Sequence, residues 1–583
     1  MSDQRELPPK YYQDYFQYLI RFVERHYGGL LNETERRFLD EFERLPEDAQ
    51  CLFIRFTNRR GAFFRVRRIR YPEIEHWGQA LIELEDRGFV ERPNTDHAAR
   101  AGELLGVFTK TELLDFGKHL GLDPKGKSSQ KKEEVMDWLL EGLDFETLVD
   151  WILAQEPIVK VHFETETMML KFLFFGNRRG DMTDFVVRDL GHLRYETFDE
   201  AFFVPHFATR EEAEDRLRVS LAREDFSLMK EAETDPTEVY HWLLDWHERY
   251  GLALTDVARP GYERLLLRVG GFLERQKRPE QSLEVFRLTA QPPSRERQVR
   301  LLYKTGFQEE AIRLCEEILA GPFNADEQFF ATDFIDRHEG KIQKRRTKRS
   351  TTAWLHQSES IRIGVEWKYR VEQGVIDYFE RQGEHAVFSE NLPWTALFGL
   401  LFWDLIFDAS TAAIHHPLQR SPSDLFKPQF FEKRRAALLD RLDLLDEPVA
   451  LREHLTRVFH EKVGIANPFV FWAEVLLDLI LLMCERIPAE PLRRVLLDMA
   501  TNPREHTRGF PDLFTWDEAG GYAFVEVKSP TDNLSSQQLY WLQFFERVGV
   551  NAKVLRVEWE VPAEPGVVST ENQTDPSQGP ESV

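Results

Sequence analysis

Three cysteines in 583 residues, Cys51, Cys315 and Cys484, lie far apart and share no zinc-ligand spacing. That scarcity excludes a disulfide framework and a thiolate metal centre, and leaves the three with structural roles. Apolar runs such as Trp394 to Phe407 and Val475 to Cys484 carry Asp404 and Asp478 and fall short of the roughly 20 residues a membrane-spanning helix needs. They read as buried helices. The first ten residues lack both the apolar core of a secretory signal and the acid-poor character of a transit peptide, so the chain is expected in the cytosol. Positive charge is also scarce, with 100 acidic residues against 76 Lys and Arg giving a formal charge of −24. Indiscriminate coating of nucleic acid depends on Lys and Arg neutralising phosphates and is excluded. Any nucleic-acid surface must be local.

What is present is apolar material for several cores. Hydrophobic residues make up 42% and Phe alone numbers 45, in a chain well beyond the roughly 250 to 300 residues at which single cores stop growing. Local basic surface exists as well. Arg55, Arg59, Arg60, Arg65, Arg67, Arg68 and Arg70 are interleaved with Phe56, Phe63, Phe64 and Tyr71, and a second group runs through Lys341, Lys344, Arg345, Arg346, Lys348 and Arg349. Either fits a nucleic-acid contact or a solvated face, and the second also fits a basic linker.

Tyr11 to Arg44 has helical apolar spacing. Cys51 to Tyr71 has strand-like Phe, Val and Ile around an Asn58-Arg59-Arg60-Gly61 turn, which predicts a hairpin. A helix and hairpin DNA-binding domain over 1–100 follows, with Arg55, Arg59, Arg60, Arg65 and Arg67 as its contacts. The Phe-rich stretch Lys171 to Val187, with its Gly-Asn-Arg-Arg-Gly turn, predicts a second hairpin. Between them, Thr109 is placed to open a helix, Gly121 to turn the chain, and Lys132 to Leu140 to form a second helix. This resembles the SAP module, a small DNA-binding helical hairpin, and implies that Lys125, Lys127, Lys131 and Lys132 meet phosphates; a plain packing hairpin is the alternative. The expected domain is 101–230. Over 231–350 the pattern is helical, and Val299 to Leu319 with Gly306 resembles a tetratricopeptide helix pair, a docking surface for protein partners. Residues 562–583, rich in Pro, Ser, Thr, Glu and Gln, are expected to be disordered.

Chemistry concentrates near the C-terminus. Gly509-Phe-Pro511-Asp512-Leu-Phe-Thr-Trp516 and Tyr522-Ala-Phe-Val-Glu526-Val-Lys528 flank a Gly-Gly turn and predict a hairpin. Alternation puts Glu526 and Lys528 on one face, with Val525 and Val527 on the other. With Asp512 at the start of the paired strand, two carboxylates and an ammonium converge. That trio suits phosphodiester hydrolysis, with carboxylate oxygens holding a hard divalent cation and the lysine orienting water or stabilising developing charge. A surface hairpin with a weak Glu–Lys pair fits the bare Glu-x-Lys equally. Ser535 is placed to cap a helix carrying Gln538 and ending at Gly549, followed by the strand Ala552 to Trp559.

Pro511-Asp512, Glu526-Val527-Lys528, Ser529 to Ser535 and Gln538 together resemble the PD-(D/E)xK motif in its VRR-NUC form. With Val371 to Phe379, Phe388-Ser389-Glu390 and Leu397 to Asp404, the chain is similar to bacterial homologues of the Fanconi-associated nucleases, from roughly Leu104 to Trp559. The resemblance implies a multidomain, mainly α protein with an α/β, restriction-endonuclease-like nuclease domain over 351–561. It implies Mg²⁺ or Mn²⁺ held by Glu390, Asp512, Glu526 and the Val527 carbonyl, with Glu372, Lys528 and Gln538 completing the catalytic set. From the residues alone, Glu390 also reads as a cap for the helix near Leu392. Arg504 and Arg508, just before Pro511, are candidates for substrate phosphate or for loop solvation. The implied activity is 5′-flap endonuclease and 5′-to-3′ exonuclease cleavage of branched DNA in interstrand crosslink repair, in the bacterial cytoplasm and at the nucleoid when on DNA. A non-catalytic DNA-binding scaffold and an RNA-directed nuclease are the rival readings.

Overall fold

Helices dominate because apolar residues either recur along one stripe or fill every interior position. The helix Tyr11–Tyr27 buries Tyr12, Phe16, Leu19 and Val23 along such a stripe, and Asn32 and Glu35 form a reciprocal capping box at the start of Glu33–Glu43. In this computed structural model, which describes residues 6–59, 61–343 and 350–560, the chain forms two compact units. One is Met1–Gln308 with Phe407–Ser423 and Gly464–Pro468; the other is Glu309–Ile406, Asp424–Val463 and Phe469–Val583.

In the first unit neither expected hairpin forms. Glu47–Thr57 is a helix, and only Phe63–Arg65 beyond the turn is extended. Lys171 to Val187 likewise contains the end of the helix Glu164–Phe175 and the helix Thr183–Asp189. The physical reason is burial on all sides. Cys51 to Ile54 and Phe172 to Phe174 are fully enclosed, and a helix apolar all round shows no 3.6-residue period to separate it from a strand. The strand β1 (Phe63–Arg65) instead joins β2 (Val90–Glu91) and β3 (Ile158–Val161) in an antiparallel sheet of order β1-β3-β2. One core links Phe16, Phe38 and Phe53 with Phe172, Phe207 and Leu217, so residues on both sides of the expected boundary at residue 100 pack together.

Thr109 accepts the Glu112 N–H and opens Lys110–His119, Gly121 turns at φ +88°, and Lys132–Gly142 follows. This helical hairpin has its own core, in which Leu113, Phe116, Val135 and Leu139 meet Leu148 and Ile152. Arg259–Arg275, Pro279–Arg287 and Ser294–Lys304 pack in succession. Gln308–Ala320 follows after Gly306 at φ +96°. The basic run 344–349, Arg60 and the tail 562–583 lie outside the described residues.

The second unit is built on a five-stranded mixed sheet of order β4-β8-β7-β6-β5: β4 (Glu359–Ile363), β5 (His385–Phe388), β6 (Leu513–Trp516), β7 (Tyr522–Lys528) and β8 (Ala552–Trp559). β4, β8 and β7 run parallel, while β6 pairs antiparallel with β7 and β5. One face packs Val375, Ile376 and Phe379 of the helix Val371–Arg381 against Leu513, Val525, Val527 and Leu555. On the other, Phe510 stacks on Trp394 and Trp541 at 5.1 and 4.1 Å between ring centroids, beside Phe524 and Phe545. Pro393 to Leu401 are buried there, which explains the apolar run without a membrane. Among the described residues no single helix is long and apolar enough to cross one.

Candidate active site

Strand alternation places Glu526 and Lys528 together, and Lys528 Nζ lies 2.7 Å from Glu526 Oε1 with both side chains buried. Leu513 pairs with Val525, and continuing that register by one residue sets Asp512 opposite Glu526. Asp512 Oδ2 accepts the Val527 N–H at 2.8 Å. The Asp512 carbonyl in turn accepts the N–H groups of Ser389, at 2.8 Å, and Glu390, at 3.2 Å. The Ser389 hydroxyl donates to the Pro511 carbonyl, and Asn391 Oδ1 accepts the Phe510 N–H. The end of β5 is thereby stitched to the turn carrying Asp512. Glu390 sits at φ +29°, a conformation unfavourable for a residue with a Cβ and typical of functional sites. It precedes Asn391, the residue at the N-cap of Leu392–Leu401, whose side chain makes no cap hydrogen bond. Glu390 Oε1 accepts from Asn391 Nδ2 at 3.0 Å.

Burial raises the Asp512 carboxyl to about 6. The Val527 N–H and Lys528 pull it down, and Glu372 and Glu390 push it back up. Glu372, in the first turn of Val371–Arg381, and Glu390 thus act on the same carboxylate. Glu526 is raised to about 8, first by burial and then by Asp512, against the pull of Lys528. An ion pair and a raised carboxyl oppose each other here; desolvation dominates because Glu526 has no exposed surface. Its second oxygen, Oε2, is buried without a hydrogen-bond partner. An orphaned carboxylate oxygen beside a second carboxylate is a fit for a hard cation. Among the described residues no three His, Cys, Asp or Glu side chains are gathered as a ready ligand set.

Gln538 completes the constellation. Ser535 and Gln538 form a capping box at Ser536–Val548, and Gln538 Nε2 donates to Glu526 Oε1 at 2.6 Å. One amide therefore ties the helix start to the carboxylate. Gly509, at φ +85°, lies so close to this helix that a Cβ would stand 2.6 Å from Gln537 Cβ. Gln538→Ala is expected to lower apparent metal affinity or turnover by about 10- to 100-fold, the usual cost of losing a group that orients a metal-facing ligand. A metal titration of activity reads it.

The sequence reasoning left Ser389 and Asn391 without roles, because their partners, Asp512, Pro511 and Phe510, are remote in the chain. It also passed over His506, which ion-pairs with Asp498 at 2.9 Å and stacks on Tyr540 within the loop that holds Arg504 and Arg508. Both arginines are exposed, and Arg508 pairs with Glu505 at 2.9 Å. Among the other basic candidates, Arg55 lies 3.9 Å over the Tyr12 ring and pairs with Glu73, and Arg65 pairs with Glu112 and Glu156. Those contacts make both structural. Arg59, Arg67, Lys125 and Lys131 are exposed, Lys127 is half-buried near the Trp138 ring, and Arg60 is not described. Arg55→Ala is expected to cost about 1–3 kcal/mol of stability by leaving Glu73 unpaired and Tyr12 uncovered, with flap affinity changed less than twofold. Chemical denaturation and a binding titration separate the two.

A mixed sheet that joins Pro-Asp to Glu-x-Lys at one end defines a nuclease domain of the PD-(D/E)xK class. The family described as VRR-NUC domain matches residues 446–559, and the FAN1, HTH domain matches 10–91. The Fanconi-associated nuclease 1 homolog of Pseudomonas aeruginosa is 29% identical, over 95% of this chain and 96% of that protein; the Arabidopsis thaliana homolog is 26% identical over 96% and 68%. Crystal structures of paFAN1 bound to 5′-flap DNA with a gap superpose at TM-scores of 0.80 for the 2-nt flap and 0.77 for the 1-nt flap, each at 26% identity, covering 96% and 95% of this chain and all of that one. The chain is similar to the Fanconi-associated nucleases over nearly its whole length, and its C-terminal region matches the VRR-NUC domain.

Proposed function

We propose that this chain is a metal-dependent, structure-specific DNA nuclease that cuts at 5′ flaps and degrades DNA 5′ to 3′. The observation that carries the reading is the unpartnered Glu526 Oε2, buried beside Asp512 and within a strand turn of Lys528. Asp512 and Glu526 would hold Mg²⁺ or Mn²⁺, joined by Glu390 on release from Asn391 and by the Val527 carbonyl, with Glu372 adding negative charge. Bound there, a divalent cation would supply positive charge and would lower the pKa of a water it held. Lys528 orients that water and stabilises charge as it develops, while Gln538 holds Glu526 in place. Arg504 and Arg508 offer planar forks to substrate phosphates. The flap preference is supported by the one relative, paFAN1, solved on two 5′-flap DNAs; exonuclease polarity and crosslink repair rest on the family resemblance.

The test is a labelled 5′-flap duplex, its 3′-flap counterpart and a matched RNA flap, each with Mg²⁺, Mn²⁺ or EDTA. Cutting of the DNA 5′ flap with either metal, and none in EDTA, is expected. Preferential cutting of RNA overturns the DNA assignment, and tight flap binding without cutting returns the scaffold reading.

A further inference from the structure

The two central carboxylates hang from different supports. Asp512 arrives on residues 502–510, the loop that leaves the helix Ala489–Thr501. Glu526 is held through Gln538 by the helix Ser536–Val548. That helix also meets the loop, since Trp541 Nε1 donates to the Arg508 carbonyl at 3.0 Å. All three elements join at His506. Its Nδ1 lies 2.9 Å from Asp498 Oδ2 and 3.0 Å from the Asp498 carbonyl. Both neighbours are acceptors, so Nδ1 carries a proton. The Tyr540 hydroxyl donates to the same carboxylate, at 3.1 and 2.9 Å from its two oxygens, and the Tyr540 ring stacks on the imidazole at 4.8 Å. Side-chain exposure is only 19% at His506 and 17% at Asp498, so water and salt screen the pair little. Burial disfavours the charged imidazole, but Asp498 and then Glu505 outweigh it and raise His506 above its ordinary value. The other charges around it are Arg508, paired with Glu505, Asp326 of the helix Ala325–Ile342, which accepts from Gln537, and Arg547, which acts on Tyr540.

We propose that the His506–Asp498 ion pair, closed by Tyr540, is a clasp that sets Asp512 against Glu526, which makes His506 a positioning residue for the cation those carboxylates would hold. The inference rests on the metal reading above. Neutral His506 keeps its hydrogen bond and loses the ionic attraction, so the clasp slackens as pH rises through the titration of His506. Mn²⁺ affinity is measured by calorimetry without DNA, from about pH 6 to about pH 9, for wild type, His506→Asn and Asp498→Asn. Asparagine at 506 keeps an N–H donor and carries no charge; Asp498→Asn is isosteric and serves where His506→Asn unfolds. Wild type is expected to bind Mn²⁺ about tenfold more tightly than either variant at the acid end, the scale of losing a group that orients a metal ligand. The ratio should close toward one at the alkaline end. Protonation of Asp512 and Glu526 is common to all three proteins and cancels in it. In EDTA, the Tm advantage of wild type should shrink over the same range, because a raised folded-state pKa adds stability at low pH that is lost above it. Single-turnover flap cleavage is run in parallel. A ratio that closes with pH, without cutting by wild type, supports the clasp and rejects the nuclease. A ratio constant across pH, variants that bind Mn²⁺ like wild type, or a wild type that binds none overturns the proposal.

Discussion

Lys528→Met is expected to slow single-turnover cleavage of a 5′ flap by about a thousandfold, the scale set by losing a preorganised charge at the reacting centre, while flap affinity in EDTA changes by less than twofold. The split follows from position. Lys528 contacts Glu526 at the end of β7 and is largely enclosed, so its charge is available to the reacting phosphate rather than to the length of a duplex. Asp512→Asn should behave alike, because the amide keeps the oxygen that meets the Val527 N–H but removes the negative charge. Either variant cutting within tenfold of wild type, while folded by circular dichroism, rejects the assignment of this hairpin as the catalytic centre.

The second large effect is a pH-dependent stabilisation by metal. Asp512 and Glu526 have carboxyls raised to about 6 and about 8, both first by burial, with Glu372 and Glu390 adding to the rise at Asp512 and Asp512 to that at Glu526. A folded state that binds protons more tightly than the unfolded chain gains stability below the unfolded pKa, near 4, and loses it as pH rises through the folded values. The metal-free protein should therefore become less stable between about pH 4.5 and 8. A divalent cation replaces those protons, so its effect runs the other way: at a hundredfold excess over Kd, Mn²⁺ should raise Tm by on the order of 5 °C at pH 8 and by little at pH 5. Glu526→Gln should remove most of the difference. An equal Mn²⁺ shift at both pH values would mean that the cation binds elsewhere.

The nuclease hairpin was legible because its chemistry is local. Fifteen-odd residues bring Asp512, Glu526 and Lys528 together through strand alternation and one turn, and both rules act at short range. Gln538 was legible for the same reason, three residues into a recognisable cap. The first unit hid its helices because Cys51 to Ile54 and Phe172 to Phe174 face protein on every side, which erases the period that sequence reasoning reads. Its sheet was hidden too, since Phe63 finds Lys160 and Val90 finds Val161 across long stretches of helix. The roles of Arg55 and Arg65 failed to show for a related reason. A basic cluster looks the same on paper whether its guanidinium groups face water or fork onto Glu73, Glu112 and Glu156.

The most direct measurement is anomalous diffraction from crystals of the Asp512→Asn variant's parent, the wild-type protein, grown with Mn²⁺ and an uncleavable 5′ flap. A manganese peak between the Asp512 and Glu526 carboxylates, with Glu390 turned away from Asn391 toward it, is the predicted result. Well-ordered flap DNA with no peak at these carboxylates, or manganese bound only at a different group of acids, would contradict a metal-dependent nuclease centred on this sheet.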